Sequence, residues 1–528
     1  MVNTSRALHR KSLRGILAIA LVAVLAIVAA PRPGSVSVAA EDTPAPPTPT
    51  VSPKNGIQER GLDVAKGTTL AMPPGPASKN YDRGVPDDKP FEGAPAPAPD
   101  LPPKNRIGDV EAATSLTDPA AVLSAGGSLI TCGASGNTSW TTTSSSFEVI
   151  RQCTFSVPQN GWVFLSANGS MARSNGEYEA QFRIGIDSTS GDSDVDRFVN
   201  VYNDGGDGTD KAVALSVLKP VGAGTHTFYF LGRRYSGTGT VLVYDPTLTV
   251  IFIPAADSEV LACGVSGDID WTTTSTSFQV IHHCSLSVPR DGWVFLSADG
   301  SVANIDGEYE ARFRIGIDST SGDYNVDRWA NVYNDGGDGT DESVALSVLK
   351  PVTAGSHTFY FLGSRYSGTA TALVYDPTLT AVYVPDPSVT ALTSGASGNT
   401  SWTPTSSSFE VIRQRTVSVP QDGWVFLSAD GSMANSNGEY EAQFRIGVDS
   451  TSGDYNVDRW VNVYNDGGDG TDKSVALSVL KQVTAGTHTF YFLGKRYGGA
   501  GTVLVYDPTL TVIMPGAQVF LPLVMRGM

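Results

Sequence analysis

The sequence is poor in the side chains from which most catalytic and metal centres are built. It has only 4 cysteines and 6 histidines among 528 residues. No Gly-x-Ser-x-Gly stretch occurs, so the strained nucleophile turn of many serine hydrolases is missing. The cysteines have no regularly placed third or fourth ligand beside them, which makes a poor zinc centre. Basic residues are outnumbered, 36 Lys and Arg against 53 Asp and Glu, for a formal charge of -17. Such a chain repels nucleic acid and anionic lipid. Apolar runs are short: the longest, Ile16 to Ala30, has 15 residues, fewer than the roughly 20 that a spanning helix requires. No cysteine follows it as a lipid acceptor, and no LPxTG pattern for sortase anchoring is present.

That apolar run has the surroundings of an export signal. Arg6, Arg10, Lys11 and Arg14 precede it, and the small-residue stretch SVSVAA follows it to Ala40. A positive start, a short apolar core and a small-residue exit make residues 1–40 a secretory signal peptide, with an uncleaved anchor as the rival reading. Cleavage there would take the formal charge from -17 to -22, because residues 1–40 hold five basic and no acidic side chains. The mature protein is then expected outside the cell or at its surface, with no membrane association. Cysteine usage agrees. Cys132 with Cys153 and Cys263 with Cys284 form two pairs of equal spacing, the pattern of disulfides in an exported chain. Each bond would close a loop of about 22 residues, which contributes about 3.4 kcal/mol in the chain-entropy account.

From Glu41 the chain is rich in Pro and Ala and lacks apolar periodicity, as in PAPPTPTVSP and EGAPAPAPDLPP. Residues 41–125 read as an extended spacer and lead-in, or a processed propeptide. An internal repeat then takes over. GWVFLSA recurs with its tryptophan at 162, 293 and 424, YNDGGDGTD starts at 202, 333 and 464, and YDPTLT starts at 244, 375 and 506. Every offset is 131 residues, too long for a solenoid unit and long enough for a domain with its own core. The expected modules are 126–256, 257–387 and 388–518, strung like beads, with a tail at 519–528.

Within a module the apolar pattern has period two. In Tyr178 to Ile186 the even positions are apolar and the odd ones mostly polar, the mark of a strand with one buried face. Further strands are expected at Leu129 to Cys132, in SFEVIRQCTFSV, GWVFLSA, RFVNVYND, KAVALSVLKPV and THTFYFLG, and in GTVLVYD and TLTVIFIP with a bend near Pro246. Eight or nine strands punctuated by Gly, Asn, Asp and Pro predict an all-β fold of two packed antiparallel sheets. An eight-stranded jelly roll suits the count best, with an immunoglobulin-like sandwich second. The modules resemble jelly-roll accessory or adhesive domains of bacterial surface proteins, without matching a particular family. The closing VFLPLVMR (Val519 to Arg526) resembles the LPLV-type ends of secreted proteins from filamentous green non-sulfur bacteria. That likeness implies an exported bacterial protein and no activity.

Candidate binding residues fall in two groups. Acidic loops follow Tyr202, Tyr333 and Tyr464 and place Asp204, Asp207 and Asp210, Asp335, Asp338 and Asp341, and Asp466, Asp469 and Asp472 among glycines. Calcium takes six to eight oxygens of this kind, so a structural Ca2+ is one reading. The other is plain turns, since Asp and Gly are good turn residues and the spacing is not that of an EF-hand. A second acidic loop, Asp187 to Asp196, has Asn325 and Asn456 at the places equivalent to Asp194. Trp140, Trp271 and Trp402 lie in polar surroundings where an indole can stack on a sugar ring, or cap one end of the sandwich. His226, His357 and His488 sit at a strand entrance with no nucleophile nearby and read as structural.

Together these features point to a non-enzymatic secreted or cell-surface repeat protein with a structural or adhesive role. Its partner would be a cell-surface or extracellular-matrix component, either polysaccharide or further copies of the chain. A multivalent carbohydrate-binding array is the alternative, and an extracellular hydrolase using paired carboxylates a remote one. The third module has Ser394 and Arg415 where the others have cysteine, and should be the easiest to unfold.

Overall fold

The computed structural model describes residues 131–514, with interruptions at 135–137, 173–174, 190–197, 204–209, 256–260, 267–268, 304–305, 321–328, 335–340, 386–391, 394–400, 405, 435–437, 453–459 and 466–471. The segments expected to be signal peptide and spacer, and the LPLV-like tail, lie outside the described residues. Among those described, no helix is long and apolar enough to cross a membrane.

The first repeat is built from nine strands: β1 (Thr131–Ala134), β2 (Ser139–Thr142), β3 (Glu148–Val157), β4 (Gly161–Ala172), β5 (Tyr178–Ile186), β6 (Phe198–Asn203), β7 (Lys211–Val221), β8 (Gly224–Gly237) and β9 (Val241–Pro254). One antiparallel sheet runs β1-β9-β4-β7, with β2 also on β9, and the other runs β3-β8-β5-β6. From β2 to β5 and from β6 to β9 the chain changes sheet at each step, so most strand neighbours are distant in sequence. The second and third repeats follow the same order, giving six antiparallel sheets.

Alternation explains the four-stranded sheet. Tyr178, Ala180, Phe182 and Ile184 of β5 and Phe228 and Phe230 of β8 point inward and are buried against Val163, Leu165, Val250 and Phe252 of the opposite sheet. The expected bend near Pro246 lies inside one strand. Asp245 takes a positive φ of 46°, and the β4–β9 register shifts between Asn168 and Ser170, so a bulge bends β9 without ending it.

The five-stranded sheet breaks the alternation. Nearly every residue of β4 and of the second half of β9 is buried, on both faces. One face closes the repeat's own core. The other packs Phe164, Leu218, Ile251 and Ile253 against Phe295, Leu349, Val382 and Val384 of the second repeat and Phe426, Leu480 and Ile513 of the third. The three phenylalanines meet edge to face, with centroids 5.6, 5.9 and 5.6 Å apart. Separations within 0.3 Å of one another place the repeats around a common pseudo-threefold axis. The bead arrangement is therefore corrected: the repeats form a closed ring that shares a fourth apolar core. Leaving Phe164 and its equivalents on separate beads would expose a large apolar patch on each, which the ring removes from water.

Candidate functional site

Ring closure also covers a sheet edge. β7 is an edge strand, and its outward N–H and C=O groups would otherwise invite pairing with other chains. In the seam between the first and second repeats, the Ser216 amide and hydroxyl both donate to Asp299 Oδ2, at 2.9 and 2.5 Å. Ser343 Oγ and Thr378 Oγ1 donate to the carbonyls of Ala214 and Ser216, each at 3.1 Å. The seam between the second and third repeats repeats this pattern: Ser347 donates twice to Asp430 Oδ2, and Ser474 and Thr509 take the roles of Ser343 and Thr378. The closing seam, from third repeat to first, differs. Asn168 Nδ2 donates to Ser478 Oγ and O at 2.7 and 3.1 Å, Thr247 supplies the carbonyl contact, and Ala212 stands where the other seams have serine. Asn168, Ser216, Asp299, Ser347, Asp430 and Ser478 line, with alanine and leucine side chains of the same strands, a cavity of about 30 Å³ between the repeats, room for a water molecule or two.

Beyond the serines the axis holds residues 211, 342 and 473, which are Lys, Glu and Lys. Glu342 Oε1 accepts from Lys211 Nζ at 2.6 Å and from Lys473 Nζ at 2.5 Å. Burial by itself would raise the Glu342 pKa, but the two lysines outweigh it and hold the carboxyl below its ordinary value. The acidic loops end next to this triad. The carbonyl of Asp341 accepts from the Tyr202 amide across the first seam, and that of Asp472 from the Tyr333 amide across the second, both at 3.0 Å. Asp210, Asp341 and Asp472 are the only candidate calcium residues that are described; Asp204, Asp207, Asp335, Asp338, Asp466 and Asp469 lie outside the described residues. Among the described residues no group of three or more metal-ligating side chains gathers.

The candidate tryptophans are half-buried wedges. Trp140 projects from β2 so that its six-membered ring lies over Gly232 of β8 in the opposite sheet, and a Cβ at that glycine would sit 2.8 Å from the ring. Trp271 over Gly363 and Trp402 over Gly494 repeat the contact at 2.6 Å. Each indole thus caps the open edge between the sheets. The disulfide does a related job. Cys263 lies on Leu261–Val265 of one sheet and Cys284 on Gln279–Val288 of the other, so their bond pins the two sheets of the second repeat together. Cys153 is also disulfide-bonded, while the Cys132 side chain lies outside the described residues.

The recurring histidines are clamps. His488 Nδ1 meets Asp449 Oδ2 at 2.6 Å and Nε2 meets the Thr484 carbonyl at 2.8 Å, while Asp449 Oδ1 accepts from the Thr489 amide. With acceptors at both ring nitrogens, the hydrogen bond to Asp449 raises the His488 pKa against the opposing effect of burial. His226 with Asp187 and His357 with Asp318 share the geometry.

Sequence reasoning missed the outer face of the four-stranded sheet. There Gln152, Thr154 and Ser156 of β3 stand beside Tyr229, Thr227 and Thr225 of β8. Those on β3 are exposed, and Tyr229 is half-exposed beside Gly185, which has no side chain to cover it. Hydroxyl pairs Thr154–Thr227 and Ser156–Thr225, each 2.9 Å apart, link the two strands across the face. Tyr360 and Tyr491 occupy the same place in the other repeats, beside His283 and Gln414. The signal was available as the polar half of the TFYF and QCTFSV alternations, once the inward half is known.

No protein-family model matches the chain, and no curated protein matches it. Solved structures similar to it include the tandem CBM22-1-CBM22-2 domain of Paenibacillus barcinonensis Xyn10C, at 11% identity over 50% of this chain and 94% of that one, with a TM-score of 0.16. The infectious bursal disease virus VP2 subviral particle is similar at 9% identity over 76% of this chain and 84% of its own, with a TM-score of 0.18. The Macrobrachium rosenbergii nodavirus is similar at 10% identity over 50% and 99%, with a TM-score of 0.15. Overlaps this slight carry no argument about what this chain does.

Proposed function

We propose that the chain is a non-enzymatic extracellular binding protein whose jelly-roll repeats present three equivalent faces to neutral polysaccharide. The observation that supports this reading is the outer face carrying Tyr229, Tyr360 or Tyr491. In the first repeat its six side chains bear no formal charge at neutral pH, although the whole chain is strongly acidic. An aromatic ring amid paired hydroxyls and an amide suits a sugar, which offers apolar C–H faces and a rim of hydroxyls. Three faces fixed about one axis favour a partner with repeated units, because a second contact then forms at high effective concentration. The same display suits the adhesive role expected from the export signal. Calcium in the YNDGGDGTD loops belongs to the same proposal as a structural ion and is not needed by the outer face.

Retention of the intact chain on insoluble cellulose, xylan and chitin tests the reading. The wild type should be retained by at least one of them, and the triple variant Tyr229→Ala, Tyr360→Ala, Tyr491→Ala should lose most of that retention while keeping its circular dichroism and melting profile. Retention that survives the tyrosine variant but disappears on Trp140→Ala, Trp271→Ala and Trp402→Ala would move the site to the sandwich edge. No retention on any polysaccharide would leave the purely structural reading.

A further inference from the structure

The three seams differ where near-identity of the repeats would make them alike. Both seams between consecutive repeats have a lysine–glutamate contact, a carboxylate receiving two serine donors, and a serine bonded to the neighbouring backbone. In the closing seam the corresponding groups are Lys473 facing Lys211, Asn168 and Ala212. Both ammonium groups converge on the same Glu342 oxygen, so like charges lie side by side at the point where the ring closes. The apolar contacts continue through all three seams, as the triangle of phenylalanines shows. The closing seam thus shares the apolar packing of the others but has an amide and an alanine where they have a carboxylate and a serine, and hydrogen bonds to a carboxylate are the stronger ones. It also has no covalent link across it, whereas the other two seams join repeats adjacent in the chain.

We infer that the ring opens at the seam between the third and first repeats, and that the faces so uncovered pair with a second copy of this chain. Opening bares the edge strand Lys473–Val483 with Ser478 and Leu480 on one side, and Phe164, Ser166 and Asn168 on the other. These surfaces are complementary because they mate within the chain, so an opened second copy offers the identical counterpart. The third repeat of each copy can then dock on the first repeat of the other, remaking between chains the closing-seam contacts that opening broke. This assembly does not depend on what the outer faces bind.

Two measurements on the full-length chain test it. Amide exchange across Lys473–Val483 should run about tenfold faster than across Lys211–Val221 and Glu342–Val352. Ala212→Ser, which supplies the missing hydroxyl opposite Ala476, should slow it toward the other two. Lys473→Glu faces Lys211 with an opposite charge and Glu342 with a like one, so it should transfer the fast exchange to the seam between the second and third repeats. On concentration and gentle warming below the melting transition, light scattering should detect two-chain species that form more slowly in Ala212→Ser. Equal exchange at all three seams overturns the inference, as does a chain that stays a monomer up to its melting transition.

Discussion

The second and third repeats follow the same strand order, yet they are held together differently. In the second, Leu261–Val265 is a five-residue strand pinned by Cys263 to Cys284, and Asp270–Thr273 follows it. In the third, Leu392–Thr393 is the described part of the first strand, Ser394 stands where Cys263 stands, and Ser401–Trp402 stops before Thr403 and Pro404, which lie outside any strand. Arg415 stands where Cys284 stands, and its equivalent strand remains full length. The first strand lies at a sheet edge with partners on one side only, so it gains most from a covalent tie to the opposite sheet. The second repeat also supplies the sole glutamate of the axial triad, and His282 where the third has Arg413. Repeats of one pattern thus differ in their ties: the second has both the disulfide and the axial glutamate, and the third has neither.

Removing the axial glutamate should have the largest effect. Glu342→Gln leaves two half-buried ammonium groups without their carboxylate and should cost about 3 kcal/mol, read as a lower urea midpoint for the whole ring. A shift within error of the wild type would mean that water already screens the triad. Next comes Cys263→Ser with Cys284→Ser, which makes the edge of the second repeat like that of the third. It should cost about 3 kcal/mol and raise amide exchange in Leu261–Val265 to the rate of Leu392–Thr393. Reductant should likewise lower the melting temperature of the wild type but not of a variant without cysteines. If the third repeat melts last under oxidising conditions, its seam contacts outweigh the missing bond.

The smallest expected effect separates the repeats by pH. His282 is buried with Nε2 2.9 Å from the Pro377 carbonyl, and burial depresses its pKa more than that carbonyl raises it, with His283 adding to the depression. Its neutral form is the one that folds, so the unfolded chain binds more protons below the ordinary value of 6.5. The stability due to His282 is complete above that value and is lost as the pH falls through the depressed pKa. His488 behaves oppositely. Its raised pKa gives stability that is complete below the ordinary value and is lost as the pH rises through the folded one. Melting curves at pH 5 and pH 7.5 (assay conditions) should therefore show His282→Arg gaining on the wild type at the lower pH, and His488→Asn losing more at the lower pH. Parallel curves for the three proteins would show that neither histidine is linked to folding.

Much of the sandwich was legible in the chain. Tyr178–Ile186 and Lys211–Val221 follow the strands expected from alternation, and β4 and β8 only extend theirs. Strand β2 was missed because its Ser-Trp-Thr-Thr has too little apolar pattern to register. The ring was overlooked although a sign of it was present: TLTVIFIP and GWVFLSA have consecutive apolar residues where one buried face needs only alternate ones. Read strictly, that departure predicts a sheet covered on both sides. It does not say by what.

The sequence by itself determined the period of 131 residues, the all-β character of the repeats and the inward face of the four-stranded sheet, because side-chain alternation and turn residues act over a few neighbouring positions. Only the tertiary structure decided that the repeats close on one another, that Lys211, Glu342 and Lys473 meet, and that Trp140 is a wedge rather than an open platform. Those contacts join residues up to 312 positions apart, such as Ser166 and Ser478. No local pattern encodes the geometry that brings such distant residues together. It follows from packing the second faces of three sheets around one axis.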